Sequence, residues 1–577
     1  MDRRAVALVL SEIGMLLELH GENPFRARAF QNAARTLERI PEDIVALAES
    51  GELAKVKGFG PATAQVVQEI LATGDSSVHQ ELRSKTPPGL IELLALPGLG
   101  VKRLRTLHEK LGIASLDDLE AAAMAGRIAK LPGFGEKTQQ KLLEGAEFVR
   151  STRGLRRQSD VLEVASWARD LLAAHAAAKR VEVAGELRRR METVRRIDLV
   201  AQTDDPDTLI SAFLELPGAA SGGRDGDASA QVRLGDGVER RLVCTDAERF
   251  PIAWAHATAE PSHWAALVER AEAAGLRLVP DGVWRGSERV AVADEAALYD
   301  MLGLAYVEPE LREGRGEVEA AAASELPRLV AYEDLRGCFH CHTTYSDGKA
   351  TLREMAEAAR ARGWRYLGLA DHSQYAAYAG GLKPDDIARQ HEEIDEWNAE
   401  HGDSLWIFKG IEADILPDGR LDYADLDEDV LARFDYVVGS IHSSFGLSEK
   451  EQTERMIRAM ENPHLTFLGH PTGRLLLSRQ PYAINMDAII DAAAERGVAI
   501  EINANPRRLD MDWRLWRRAK EKGVRTGINP DAHSINGLDD VHYGVSIARK
   551  GWLTADDVIN AWEIEAVKKY FGTGRKR

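Results

Sequence analysis

At 577 residues the chain is long enough for several domains, each with a core of its own. Apolar content of 44% and charged content of 29% are those of a globular protein, and no apolar run approaches the roughly 20 residues needed to span a membrane. Cys244, Cys338 and Cys341 are too few for a disulfide framework and imply a reducing cytoplasm; a net charge of −18 argues mildly against nucleic-acid binding, though local patches and oriented amides can still hold phosphate.

Met1-Asp2-Arg3-Arg4-Ala5 leads into a mixed helix and not into a secretory signal peptide. Residues 1 to about 150 read as helices joined by short turns. Three turns share one pattern: Val56-Lys57-Gly58-Phe59-Gly60, Leu96-Pro97-Gly98-Leu99-Gly100 and Leu131-Pro132-Gly133-Phe134-Gly135. Gly58, Gly60, Gly98, Gly100, Gly133 and Gly135 permit positive φ and expose amides at the start of the next helix, where the helix dipole favours phosphate. These are helix-hairpin-helix units, which hold a DNA backbone without reading its sequence.

Residues of about 151 to 312 mix helices with strands, at Arg180–Gly185, Arg195–Ala201 and Val238–Cys244. Asp225 to Gly237 has hairpin composition. The segment from Glu313 to Pro327, rich in Glu, Ala and Gly, reads as an exposed linker. The closing Gly574-Arg575-Lys576-Arg577 reads as a frayed tail.

From Leu329 onward one pattern recurs: an apolar strand ends in a histidine or an acid. His340-Cys341-His342 follows an apolar stretch, with Asp347 soon after. Leu367-Gly368-Leu369-Ala370 runs into Asp371-His372. Further strands run into Glu412, His442, His470 and Asp531-Ala532-His533. Ligands delivered from successive strand ends converge on one face of a β/α barrel. Six of the 16 histidines sit at such ends, interleaved with acids, which is enough for several metal ions. His391 and His401 lie in a polar helical region and read as surface residues.

These residues together resemble the bacterial family X DNA polymerases that carry a C-terminal PHP (polymerase and histidinol phosphatase) domain. Asn23-Pro24-Phe25-Arg26-Ala27-Arg28-Ala29-Phe30 is similar to the start of the family's N-terminal DNA-binding domain. Gly185 with Arg188-Arg189 and Glu192, then Ile197-Asp198-Leu199, is similar to the nucleotidyltransferase palm signature. His340-x-His342, Ser346-Asp347-Gly348 and Asp371-His372-Ser373 are similar to PHP motifs, the most specific part of the match.

The resemblance implies a multidomain α and α/β chain. Helical helix-hairpin-helix domains cover 1–85 and 86–150, an α+β nucleotidyltransferase palm 151–245 and a thumb 246–312. A linker, 313–328, leads to a distorted seven-stranded β/α PHP barrel, 329–577. It also implies the metal ligands His340, His342, Asp347, His372, Glu412, His442, His470, Asp531 and His533. Imidazole mixed with carboxylate suits Mn²⁺, Zn²⁺ or Fe²⁺, and the resemblance favours three Mn²⁺ ions. Arg508, in Asn505-Pro506-Arg507-Arg508, is a candidate clamp on a backbone phosphate.

The palm departs from the family pattern. Family members place three carboxylates around two Mg²⁺ ions. Here Asp198 fits the second and Glu239 the third, but the first position is Arg196. Each unit of charge at about 4 Å and an effective dielectric near ~20 is worth roughly 4 kcal/mol, and Arg cannot lose its proton. Glu186 stands where relatives hold the triphosphate with Ser, leaving Gly185 and Arg189 as nucleotide contacts. Val66 stands where relatives with 5′-deoxyribose-phosphate lyase activity have Lys, so that activity is not expected.

The expectation is therefore a cytoplasmic, monomeric DNA repair enzyme that binds gapped or nicked DNA and hydrolyses its 3′ end at the PHP site. Cleavage at abasic sites and 3′-phosphate removal would be side activities. Gap filling from deoxynucleoside triphosphates with Mg²⁺ or Mn²⁺ at the palm is weak or lost. The alternatives are a working Mn²⁺-dependent polymerase with its own exonuclease, a small-molecule phosphoesterase and a DNA-binding scaffold without catalysis.

Overall fold

The computed structural model describes residues 3–37, 44–94, 96, 98–234, 237–423, 426 and 429–574. Pro97 and the end of the tail, Arg575–Arg577, lie outside them. Contacts divide the chain into two compact units, Met1–Gly154 and Leu155–Arg577.

The first unit is built of helices around one apolar core. Its helices are amphipathic: Val101–Leu111 buries Leu104 and Leu107, and Glu136–Thr152 buries Leu142, Ala146 and Val149. The three glycine turns repeat one geometry. The first glycine has positive φ (Gly58 109°, Gly98 78°, Gly133 82°). The residue after it donates its amide three residues back: Phe59 to Val56, Leu99 to Leu96 and Phe134 to Leu131, at 3.0 to 3.1 Å. The second glycine, Gly60, Gly100 or Gly135, caps the helix that follows.

In the second unit, a five-stranded sheet runs in the order Ala178–Ala184, Arg196–Thr203, Glu239–Thr245, Ser229–Leu234 and Ala219–Gly226. Ile197, Leu199 and Ala201 alternate into its core, which leaves Asp198 on the other face. Helices Phe250–Thr258, Pro261–Ala273 and Glu295–Met301 follow, with a three-stranded antiparallel sheet between the last two. Buried Arg312 and Arg188 both pair with Glu295, at 2.8 and 2.6 Å.

Residues 313–328 correct the expectation of an exposed linker. They contain the helix Glu317–Ala323, and Val318 and Ala321 join the preceding core. Glu317 is fully buried and lies 2.6 Å from His263 Nδ1, while Gly314 and Arg315 donate their amides to it. Glu313 pairs with Arg189 at 3.0 Å and with buried Lys550 at 2.6 Å. Glu313 and Glu317 are satisfied inside the fold, while Glu319 and Glu325 face solvent.

Where the sequence suggested a seven-stranded barrel, the structure has two parallel sheets. One joins Gly337–Cys341, Tyr366–Leu369 and Trp406–Phe408. The other joins Gly410–Asp414, Tyr436–Ser440, Leu465–Leu468, Ala499–Asn503 and Thr526–Asn529. Parallel bridges, His372 to Glu412 and Cys341 to Ala532, connect the sheets, and only Lys409 separates the third strand from the fourth. Most of these strands are buried along their whole length, as expected where both faces are covered. Phe339, Tyr366, Phe408, Tyr436 and Phe467 form one aromatic layer. Phe571 of the C-terminal helix inserts into that layer, stacked on Tyr436 at 5.2 Å. The strands' C-terminal ends carry the polar groups instead.

The sheet of five and the barrel region are tied by buried charge. Lys550 Nζ donates to the carbonyls of Arg189 and Glu310 besides pairing with Glu313. Arg474 lies 3.4 Å from Glu192.

Candidate metal centre and palm-like cleft

All nine expected ligands fall in one cluster at the strand ends. They form four overlapping groups: His342, Asp347, His372 and His533; His340, Glu412 and His470; His340, His342 and Asp531; His372, Glu412 and His442. Within each group one ligand atom per residue lies within 4.8 Å of the others. Glu412 is the hub, with His372 Nδ1 at 2.9 Å, His470 Nε2 at 3.0 Å, and His340 Nε2 and His442 Nε2 at 3.3 Å. His342 Nε2 approaches Asp531 at 3.2 Å, and His533 Nε2 approaches Asp347 at 3.3 Å.

Local backbone sets these directions. His340, His470 and Asp531 all have positive φ, and the strand register shifts between Cys338 and Cys341. The bulge lets His340 and His342 both enter the cluster while Cys341 packs outward, its Sγ 3.5 Å from that of Cys338.

The donor set fits divalent cations. Among the described residues, buried His340 Nε2, both ring nitrogens of His342, His372 Nδ1 and His470 Nδ1 make no well-aligned hydrogen bond, although carboxylates lie within 3.3 Å of three of them. So many unbonded ring nitrogens gathered beside carboxylates are what an ion-binding site would present. Burial alone would raise the Glu412 pKa; the His442, His340 and His372 rings outweigh it and hold Glu412 well below the usual carboxylate range.

Three buried acids stand behind the ligands; Glu501 and Asp414 escaped the sequence reading, and Asp371 entered it only as part of a motif. Glu501 lies 2.6 Å from His340 Nδ1 and accepts from Asn503 and Asn529. Asp414 lies 3.3 Å from His442 Nδ1. Asp371 accepts from Thr343, Ser346 and Gln390 and so anchors the loop that carries Asp347. The available signal was an acid within an apolar strand, as in Ala499-Ile500-Glu501-Ile502, because a buried acid needs a partner. His391, expected at the surface, is half-buried edge-on against Phe434.

Arg508 borders the cluster, its Nε 3.5 Å from Asp531 Oδ2, and Arg507 beside it is exposed. The rim is most open at Asp347 and His533, whose side chains are 37% and 35% exposed.

The palm-like cleft is differently disposed. Arg196 pairs in register with Glu239 on the adjacent strand, and Arg196 Nε donates to Asp198 at 2.8 Å. Glu239 pairs with Arg233 at 3.2 Å. Burial pushes the Asp198 pKa up, and Arg196 only partly offsets this, leaving it above the ordinary value. Gly185, at φ 64°, lies so near that a Cβ there would meet Asp198 Oδ2 at 2.4 Å. Glu186 accepts the Arg195 amide. Arg189, expected as a nucleotide contact, is buried instead, with its guanidinium bonded to Glu313 and the Thr258 carbonyl. A triphosphate would have to break both bonds to reach it.

Comparison with known proteins finds four family models along the chain. The helix-hairpin-helix domain family matches residues 1–76 and the SAM-like helix-hairpin-helix tandem family residues 90–147. The DNA polymerase beta thumb family matches 253–313, and the PHP domain family 339–505. The chain is 36% identical to the DNA polymerase/3′-5′ exonuclease PolX of Bacillus subtilis, over 99% of each chain. It is 27% identical to a probable phosphatase of Thermoanaerobacter sp. over 41% of this chain and 95% of that protein. A probable phosphatase of Caldanaerobacter subterraneus is 28% identical, over 41% and 91%.

Proposed function

The chain belongs to the bacterial family X DNA polymerase/3′-5′ exonucleases, and from that premise we propose that its catalytic centre is the PHP cluster, which shortens the 3′ end of gapped or nicked DNA, while its palm polymerises weakly or not at all. One observation carries this reading: nine candidate ligands converge at the PHP site, whereas an arginine occupies the palm's carboxylate cluster.

The nine side chains His340, His342, Asp347, His372, Glu412, His442, His470, Asp531 and His533 would hold three divalent ions, with manganese favoured and zinc or iron as the other candidates. Such ions supply positive charge that lowers the pKa of the attacking water and stabilises both the phosphate and the departing 3′-alkoxide. Glu501 and Asp414 hold the Nδ1 sides of His340 and His442, which turns both Nε2 atoms toward Glu412. Arg508, adjacent to Asp531, grips a non-bridging phosphate oxygen. Asp347 and His533 leave the opening through which the 3′ end enters. Abasic-site cleavage and 3′-phosphate removal use the same groups.

The helical unit holds the DNA. At Gly60, Gly100 and Gly135 an added Cβ would meet no protein atom within 4 Å. The fold does not demand glycine there, whereas close approach of a phosphate to the helix amides does. These units separate the reading from that of a small-molecule phosphoesterase.

The test uses purified protein, Mn²⁺ and a gapped duplex, with and without deoxynucleotides. Shortening that is lost in His340→Ala/His342→Ala and kept in Asp198→Ala, with no extension by any variant, is the expected result. Extension by the histidine variant that is lost in Asp198→Ala would instead make this a working polymerase.

A further inference from the structure

An aromatic side chain stands at the mouth of the cluster without a partner that explains it. Tyr378 is 75% exposed, more than any other large apolar or aromatic side chain among the described residues except Met124 and Phe25 of the helical unit. Its ring centroid lies 6.3 Å from that of His372, with the planes 55° apart. His372 shares its ligand group with Asp347 and His533, the two most open candidates.

The loop beneath Tyr378 is pinned. Ser373 donates its amide to the Glu412 carbonyl at 2.9 Å, and Leu382 donates to His372 at 2.8 Å. The Tyr375 amide donates to Asp422 at 2.8 Å, and the Tyr423 hydroxyl donates to the Leu382 carbonyl at 2.5 Å. Ala376 and Ala379 on either side are buried. A single exposed tyrosine needs no explanation by itself. One held on a rigid loop, within ring-contact range of a candidate ligand, offers a preorganised flat face beside the reacting phosphate.

Resting on the exonuclease reading, we propose that Tyr378 is the stacking surface for the base of the 3′-terminal nucleotide, so that the site selects nucleotides over base-less ends. Arg508 would take the phosphate and Tyr378 the base. Stacking is sequence-tolerant because every base has a π-face, which suits an enzyme that must remove any nucleotide.

The experiment uses the full chain with Mn²⁺ and two gapped duplexes, one ending in deoxyadenosine and one in an abasic tetrahydrofuran nucleotide. Tyr378→Ala should raise KM about tenfold on the first, leave kcat within about twofold and leave the second unchanged, while Tyr378→Phe behaves as wild type. A second readout needs no catalysis: with metal chelated and protein in excess, a 3′-terminal 2-aminopurine should be quenched by wild type and Tyr378→Phe and not by Tyr378→Ala. Equal effects on both duplexes, no effect on either, or quenching that is absent in wild type or unchanged in Tyr378→Ala would overturn the proposal. Cleavage that survives in His340→Ala/His342→Ala overturns the exonuclease reading itself, a result distinct from any produced by the tyrosine variants.

Discussion

In the barrel, Glu412 has four imidazoles within 3.3 Å and is held well below the usual carboxylate range. In the five-stranded sheet, Asp198 has one guanidinium at 2.8 Å, and its pKa stands above the ordinary value. Glu412 is buried and Asp198 partly so, each on a strand whose neighbouring residues build a core. The difference lies in the company each keeps: around Glu412 the neighbours are neutralisable donors facing inward, and around Asp198 a permanent cation fills the space where a cation could bind. One side chain thus changes the charge of a site whose backbone is kept.

The comparison breaks first, and most visibly, on the barrel side. His340→Ala with His342→Ala, or chelation of wild type, should lower 3′ shortening on the order of a thousandfold or more, read as product per time on a labelled primer. Retained shortening would mean that the cluster is not the centre. Glu501→Gln should be milder, about 10- to 100-fold in activity or metal affinity, with excess Mn²⁺ restoring part of it, because it removes the group orienting His340 and not a ligand. On the palm side, Arg196→Asp should raise Mn²⁺-dependent primer extension by about tenfold or more over wild type while leaving shortening unchanged. No gain would place the defect elsewhere, with Glu186 the next residue to change.

The smallest effect is on stability. Because the folded Asp198 pKa is raised, the folded state binds this proton more readily than the unfolded chain. The group's contribution is complete below the unfolded pKa and is lost as pH rises through the folded one. Asp198→Asn should therefore keep Tm at neutral pH equal to or above that of wild type, and the gap should close on acidification. A Tm that falls at neutral pH would show that the Arg196 pair stabilises the fold after all.

Much of this was legible because the relevant pattern is local. A strand that ends in His or an acid can be read from a few residues, and so can an apolar-x-Gly-x-Gly turn. What failed needed partners distant in sequence. Glu501 matters through His340, 161 residues away. Arg189 looked available to a phosphate because nothing nearby in sequence shows Glu313 beside it. The segment from Glu313 to Pro327 looked solvated by composition, yet two of its acids, Glu317 and Glu313, meet His263, Arg189 and Lys550. Composition reports how much charge a segment carries, and only the fold shows whether each charge is matched.

That matching constrains how the enzyme can be dissected and how it could have been inherited. A nuclease piece cut free at residue 329 would keep Lys550 but leave behind Glu313, its buried counter-charge, and would take Glu192 from Arg474, which retains Asp512 at 3.4 Å. Orphaned charges of this kind are among the most damaging changes a fold can suffer. The region before residue 329 is then not free to be deleted, whatever its own chemistry. It serves as the electrostatic complement of its neighbour, and a chain without it would first have to replace Lys550.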